Sequence, residues 1–169
     1  MTDLPSFGSP MGAGFFGGTF LLDSVYYAMV VAPKSAERSD VVVADATAMA
    51  QATSYADGHA NTAALASSGE GLASAITGLV IGEQGDLYIP SRDELATIFS
   101  NLLAFPGSAL AIGAEQGFNE VPYLTSTALG PDLLWNQNPF LGYQCQDDKR
   151  DSILVRPIWR IAIDGAGGA

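Results

Sequence analysis

The sequence predicts an α+β fold, and three features of the chain support this prediction. β-favouring runs lie towards both ends of the chain, at residues 19–32 and 153–163. A helix with a clear N-terminal cap lies between them, at residues 92–103. Residues 104–151 are dense in Gly, Pro and aromatic side chains, which predicts turns and short strands instead of long regular elements.

Composition limits the classes of partner. With 169 residues and 48% hydrophobic content, the chain can bury one core, so we expect a single main domain. A formal charge of −11 argues against a nucleic-acid partner and against an anionic membrane surface. No apolar run reaches the roughly 20 residues of a membrane span, and the first residues show no secretory signal. The single cysteine, Cys145, excludes an intrachain disulfide.

The N-terminal residues 1–18 are rich in Gly, Pro and Ser, with Phe7, Phe15 and Phe16 interleaved. Two interpretations stay open: a flexible arm, or an arm that docks its aromatic rings on a neighbouring subunit and becomes ordered there. We therefore divide the chain into a Gly-rich arm (1–18), a folded domain (19–164) and a flexible tail (165–169).

Strand signals are strongest on either side of Asp23 and Ser24, which we interpret as a two-residue turn. At the other end of the chain, Pro157 interrupts an alternating strand and indicates an edge strand or a bulge. The predicted strands are at residues 19–22, 25–32 and 153–163. Residues 41–44 are predicted either as a short strand or as the segment that leads into the next helix. An Ala-rich helix is predicted at 45–56, and one or two small helices within 62–79.

The helix at residues 92–103 has the clearest local signal. Ser91 and Glu94 have the spacing of a capping box, in which each side chain bonds the backbone N–H of the other. Apolar residues then recur at helical spacing, which predicts that one face packs on a core: Leu95, Ile98, Phe99 and Leu102.

Searches for catalytic patterns find none. No serine lies in a G-x-S-x-G motif and no phosphate-binding loop is present. The one histidine, His59, has no second ligand nearby, so we interpret it as solvated or capping. We interpret Cys145 as an inert thiol. We interpret the acidic pairs, such as Asp147 with Asp148, as solvated turns and not as Ca²⁺ ligands. We expect no enzyme, no cofactor and no metal.

Four segments, taken together, point to a family: SYADGHANTAAL (54–65), GDLYIPSRDELATIF (85–99), YLTSTA (123–128) and LWNQNPFLGYQCQDDKRDSILVRPIWRI (134–161). They resemble the DUF1566 or Lcl C-terminal type domain, which has a C-type-lectin-like fold. The resemblance implies that the N- and C-terminal strands pair, that two main helices cover that sheet, and that a long irregular loop region carries short strands. Leu124 and Ala128 depart from the family pattern, and one cysteine cannot supply the active-site pair of its formylglycine-generating relatives.

The resemblance also bears on the charged residues and on function. We interpret Arg92, Arg156 and Arg160 as charge pairs inside the fold, with ligand binding as the alternative. Variants that carry a G-[FY]-[FY]-G-G stretch and an A-N-T loop are similar to virion proteins of tailed phages, often in tail fibres and receptor-binding tips.

The first hypothesis is therefore a non-enzymatic bacteriophage virion protein, located on a tail fibre, tip or baseplate. It would attach to other virion proteins through the arm with Phe7, Phe15 and Phe16, and form a homo-oligomer, most simply a trimer. Its loop face would bind a host receptor or a neighbouring subunit. The candidate ligand-binding residues are Tyr123, Ser126, Trp135, Asn136, Gln137, Asn138 and Tyr143.

Core and turn packing is the alternative for Tyr123 and Trp135, while Trp159 is assigned to the core. Two other functions remain open. One is a purely structural decoration or collar protein of the virion, and the other is a cellular surface ligand-binding module.

Overall fold

The computed structural model describes residues 4–163, and this part of the chain is a mixed α+β structure with two β-sheets and four α-helices. This confirms the predicted fold class. The strands are β1 (Pro10–Met11), β2 (Gly14–Leu22), β3 (Val25–Val31), β4 (Arg38–Asp40), β5 (Tyr123–Ala128), β6 (Leu133–Gln137), β7 (Gln144–Asp148), β8 (Ile153–Val155) and β9 (Ile158–Ala162); the helices are α1 (Ala46–Gln51), α2 (Gly58–Ala66), α3 (Gly71–Thr77) and α4 (Arg92–Ala104).

The first sheet has the order β1-β2-β3-β9, and its neighbouring strands are antiparallel. It joins the N-terminal and C-terminal parts of the described chain, because β3 pairs with β9, as the resemblance implied. Asp23 and Ser24 form the predicted turn between β2 and β3, with φ values of 49° and 66°. Two successive positive φ angles are typical of a type I′ turn, whose twist matches that of the flanking strands.

The N-terminal segment is not an arm in its described part, residues 4–18. The first sheet begins at Pro10, and the side chains of Phe7 and Phe16 are each only 7% exposed. Phe7 stacks on Phe105 with ring centres 5.8 Å apart, and Phe15 packs against the same core. The prediction failed because Gly and Pro here form tight turns within a sheet. Residues 1–3, 164 and the predicted tail lie outside the described residues.

The second sheet has the order β4-β8-β5-β6-β7. The Gly/Pro-punctuated region supplies its strands β5, β6 and β7, which agrees with the prediction of short strands there. The strand predicted at residues 153–163 is instead two strands in different sheets. Arg156 and Pro157 separate β8, in the second sheet, from β9, in the first. Since proline has no N–H to donate, the chain changes sheet at this point.

The helices agree with the sequence where a cap is strong. The helix α4 begins after Ser91 with the predicted capping box, and its buried residues are the predicted stripe together with Glu94. The helix α1 is shorter than predicted, while α2 begins four residues early, so that His59 lies in its first turn. No helix among residues 4–163 is long and apolar enough to cross a membrane.

Two clusters of buried side chains form the core. One lies under α1, α2 and α3 and includes Trp159, which confirms its assignment to the core. The other joins α4 to the first sheet and extends to Leu110 and Phe118, which lie in the irregular residues 105–122. The irregular segment is thus held in place by its own buried side chains.

Candidate functional site

Glu94 is fully buried in the first turn of α4 and links several parts of the fold. Its Oε2 atom accepts hydrogen bonds from the backbone N–H groups of Ser91, at 2.8 Å, and Gly58, at 3.1 Å. Its Oε1 atom accepts a bond of 2.8 Å from the Tyr88 hydroxyl and lies 3.8 Å from Arg160 Nη1. Burial raises the pKa of Glu94, although these hydrogen bonds and Arg160 favour its charged form.

Hydroxyl groups complete this polar cluster. Thr62 Oγ1 donates to Gly58 O at 2.7 Å and accepts from Ile89 N at 3.0 Å. Thr127 Oγ1 donates to Ser54 O at 2.8 Å and accepts from Arg92 N at 3.0 Å. The short polar motifs of the four resembling segments therefore meet at one place, where they satisfy buried backbone groups. Their role in this chain is to hold the fold together.

Arg156 occupies a second buried polar cluster. Its guanidinium donates to Glu37 Oε1 at 2.8 Å, to Ala32 O at 2.6 Å and to Gln116 O at 2.8 Å. The Tyr123 hydroxyl also donates to Glu37 Oε1, at 2.8 Å. Burial lowers the pKa of Arg156 and raises that of Tyr123. The interpretation of Arg156 as an internal charge pair is confirmed, and Tyr123 belongs to the same network.

Arg160 is also an internal charge pair, as predicted. Its Nη1 atom lies 3.0 Å from Asp57 Oδ1, and its guanidinium carbon lies 4.9 Å from the ring centre of Tyr27. Burial raises the pKa of Asp57, but hydrogen bonds from Ala60 N and from Arg160 outweigh it, so the pKa is lowered overall.

Most of the predicted ligand-binding residues are not at the surface. Tyr123, Ser126, Asn136, Gln137 and Asn138 are all buried in the folded chain. Strands β5 and β6 lie inside the second sheet, so their polar side chains bond within the fold. Ser126 Oγ lies 3.3 Å from Pro90 O, and Asn138 Oδ1 accepts from the N–H groups of residues 140 and 141. The predicted ligand face is therefore corrected at these five positions.

The side chains of Tyr143 and Trp135 are more exposed to solvent than those of the other five candidates. Tyr143 is exposed in the connection between β6 and β7, beside the exposed side chains of Phe140 and Leu141. Trp135 is half-buried, and its Nε1 atom is buried without a hydrogen-bond partner among the described residues.

The Trp135 ring is one side of an arrangement that the sequence did not predict. The guanidinium carbon of Arg92 lies 4.8 Å from the ring centre of Trp135 and 5.0 Å from that of Tyr55. We call these three residues the arginine stack. Cation–π contacts with two rings restrict the orientation of the guanidinium. The backbone of Arg92 is fixed as well, because its N–H bonds Thr127 Oγ1 and its carbonyl accepts from Gln137 Nε2 at 2.5 Å.

The guanidinium of Arg92 forms the predicted charge pair only with its chain neighbour, Asp93, whose carboxylate is partly exposed. Its nearest carboxylate oxygen belongs to Asp93, at 3.6 Å, and it makes no hydrogen bond to another residue within 4–163. Its Nε atom is buried and also has no partner in this range. The other six cationic side chains each donate to oxygen atoms of the fold: Lys34, Arg38, Lys149, Arg150, Arg156 and Arg160.

The arginine stack therefore combines an oriented cation with unused donors and a partly exposed aromatic ring. A guanidinium binds the planar oxygen pair of a carboxylate or phosphate through two parallel hydrogen bonds. Sequence reasoning listed Trp135 as a candidate but assigned Arg92 to the fold and did not consider Tyr55. The missing information was tertiary, because residues 55, 92 and 135 are far apart in the chain.

Other chemically active groups do not form a site. Within residues 4–163, no three His, Cys, Asp or Glu side chains lie together as a possible metal site. His59 Nε2 lies 2.8 Å from Asp86 Oδ1 at the surface. The Cys145 thiol is half-buried and donates to Asn136 Oδ1 at 3.3 Å.

Comparison with known proteins adds no relative: no family model matches the sequence, and no curated protein is significantly similar to it.

Proposed function

We propose that this chain is a non-enzymatic virion protein of a tailed bacteriophage, associated with a tail fibre, tip or baseplate, and that it binds an acidic group through the arginine stack. The fold underlying the proposal is a C-type-lectin-like domain. Pairing of the chain's two ends in one sheet supports this fold, as does a second sheet built largely from the later half of the chain. Contacts of Glu94 with the first, second and fourth resembling segments support it further.

The observation that carries the binding role is the weakly paired guanidinium of Arg92. In a chain with seven cationic and eighteen acidic side chains, this oriented cation makes no hydrogen bond to another residue within 4–163 and faces only the partly exposed carboxylate of Asp93, so it is available for an external acceptor. The ligand chemistry that fits is a carboxylate or phosphate attached to a ring or chain that contacts Tyr55. Acidic sugars of a host surface polymer have this chemistry, and so do acidic side chains of a neighbouring virion subunit.

Binding to host cells tests the proposal directly. The purified chain, fluorescently labelled, should bind host cells and compete with phage adsorption. Arg92→Gln should lower both effects by about tenfold or more, since it removes one charge-assisted contact worth about 1.5–3 kcal/mol. Arg150→Gln is the matched control, because Arg150 is an exposed cation that already pairs with Asp148.

The source of the acidic group can be separated from the existence of the site. If the purified host polymer binds wild type but not Arg92→Gln, the ligand is a surface glycan. If host cells do not bind but Arg92→Gln particles fail to assemble, the ligand is a neighbouring subunit. If Arg92→Gln and Arg150→Gln behave like wild type in both experiments, the arginine stack is only structural and the binding role is wrong.

A structural decoration or collar protein is the second candidate. The exposed side chains of Phe140, Leu141 and Tyr143 favour it. A cluster of exposed apolar groups on a loop is more typical of a contact with another protein than of a surface that binds a polar receptor. Cryo-electron microscopy of the particle would show these side chains covered by a different virion protein for this function, and no different virion protein on them for a receptor-binding one.

Attachment and assembly are also part of the proposal. Attachment to other virion proteins cannot use the rings of Phe7 and Phe16, which are buried in the folded chain. A closed homo-oligomer, most simply a trimer, remains the expected assembly.

A further inference from the structure

Charged side chains are absent from three long stretches of this acidic chain. Residues 4–22, 95–114 and 133–146 contain no Asp, Glu, Lys, Arg or His. All twenty-five Asp, Glu, Lys and Arg side chains lie elsewhere. Burial alone does not explain the lack of charge, because each of these stretches also has residues exposed to solvent.

The fold brings the three stretches together around α4. A groove of about 210 Å³ separates α4 from residues 137–144, with Leu103 and Tyr143 on its two walls. A wider groove of about 440 Å³ lies on the other side of the helix, between Asn101 and residues 4–19. A third groove lies at the C-terminal end of the helix, between Leu103 and Ile112. None of the residues that line these grooves carries a charge.

The ridges between the grooves are apolar and exposed. The side chain of Leu103 is 66% exposed at the end of α4, and those of Phe140 and Leu141 are 58% and 63% exposed in the neighbouring connection. The outer side of a surface helix normally carries charged residues. In α4 it has none after Glu94, although Ser100, Leu103 and Ala104 are exposed there. We call this surface, formed by residues 95–106 and 137–144 with their grooves, the neutral face.

We propose that the neutral face is the contact between two copies of this chain. Contiguous exposed apolar groups of this kind mark protein contacts. The charge distribution indicates which partner: two copies that each carry a formal charge of −11 repel one another, so their contact must exclude acidic groups. A basic partner would instead be attracted to the acidic remainder of the surface and would gain nothing from a charge-free face.

The shape of the neutral face fits this partner. A surface that meets its own copy needs both projections and depressions, because each copy supplies both sides of the contact. Phe140 and Leu141 project beside the groove between α4 and Tyr143. In a ring of three copies, the ridge of each copy would instead meet the groove of the next. This inference names the surface of the self-association that the proposed function expects, but it does not rest on the ligand of the arginine stack, so either can fail without the other.

Sedimentation equilibrium of the purified chain tests the proposal. Wild type should form a dimer or trimer that dissociates on dilution and strengthens with added salt, because salt screens the repulsion between acidic copies. Leu103→Glu should be monomeric at concentrations where wild type is assembled. Val80→Glu is the matched control: Val80 is 68% exposed, lies outside the neutral face and receives the same added charge.

Phe140→Asp provides a second variant in case Leu103→Glu is unstable, and circular dichroism checks that each variant is folded. Both neutral-face variants should dissociate while Val80→Glu assembles like wild type. A wild type that is monomeric at every concentration and salt would overturn the proposal. So would neutral-face variants that assemble as well as Val80→Glu, or a wild-type assembly that weakens with salt.

Discussion

At the scale of single residues, the three arginines near the core differ in what neutralises them. Arg156 faces the carboxylate of Glu37, and Arg160 faces those of Asp57 and Glu94. Arg92 faces two aromatic rings and only a distant oxygen of Asp93. A buried cation that lacks an anion is costly, so burial and pairing increase together across the three. The least paired of the three arginines is also the most exposed, with 32% of its side chain accessible.

Replacing Arg156 by Met should lower the free energy of unfolding by about 3–5 kcal/mol. The Arg156 side chain is fully buried and that of Glu37 is nearly so, and the variant would leave the Glu37 carboxylate buried without its partner. Urea unfolding measures the change. The double variant Glu37→Gln/Arg156→Met should recover much of the loss, while Arg150→Met should have little effect because Arg150 is exposed. A single variant as stable as wild type would contradict this account.

Glu94→Gln should show the opposite pH dependence from an ordinary ion-paired carboxylate. The folded-state pKa of Glu94 is raised by burial, so its contribution to stability is fully present below the unfolded-state value of about 4.3. That contribution is lost as the pH rises through the folded-state pKa. The stability of wild type relative to Glu94→Gln should therefore fall as the pH rises from about 4.

Unfolding by urea at a series of pH values gives this difference. Asp57 has the opposite effect on the pH dependence of stability. Its pKa is lowered in the folded state, so its stabilisation is lost as the pH falls. Asp57 is present in both proteins, so its effect largely cancels in the comparison. A difference that stays constant or rises between mildly acidic and neutral pH would show that the Glu94 carboxylate is better stabilised than its burial implies.

At the scale of elements, local signals in the sequence predicted local structure well. The capping box at Ser91 and Glu94 predicted the start of α4, and Asp23 with Ser24 predicted the turn between β2 and β3. Both depend on neighbouring residues only. An edge strand or a bulge was predicted at Pro157, but the division of this stretch between the two sheets was not. Sheet membership depends on partners distant in the chain, which periodicity cannot identify.

Ser24→Gly should stabilise the chain by up to about 1 kcal/mol, because the relief of left-handed strain, roughly 1–2 kcal/mol, exceeds the added chain entropy of Gly, about 0.5–1 kcal/mol. Ser24 has a φ of 66°, a left-handed conformation that is strained for residues other than Gly, Asn and Asp. A type I′ turn favours Gly at its second position, so the variant relieves strain in the folded state. Thermal unfolding measures the gain, and Ser67→Gly is the control because Ser67 has an ordinary helical conformation with a φ of −62°. A destabilised Ser24→Gly would indicate that chain entropy outweighs the relief of strain.

At the scale of the whole molecule, the candidate site was only partly predictable. The polar run Thr125–Ser126–Thr127 resembles an exposed ligand-binding strand in sequence, yet all three side chains are buried because backbone carbonyls accept their hydroxyl groups. The neutral face had the reverse problem. The sequence assigned one side of α4 to the core and Gln137, Asn138 and Tyr143 to a ligand face, and only the fold shows which residues of these stretches reach solvent.

The placement of the N-terminal residues leads to a prediction about overall stability. Phe7→Ala should lower the free energy of unfolding by about 3 kcal/mol or more, because the ring is buried against α4 and stacks on Phe105. Phe140→Ala, measured in dilute protein, is the matched control and should change it by less than about 0.5 kcal/mol, because its ring is exposed. Urea unfolding distinguishes the two accounts of this segment. A flexible arm would leave stability unchanged in both variants, whereas a segment that completes the core makes Phe7→Ala alone destabilising.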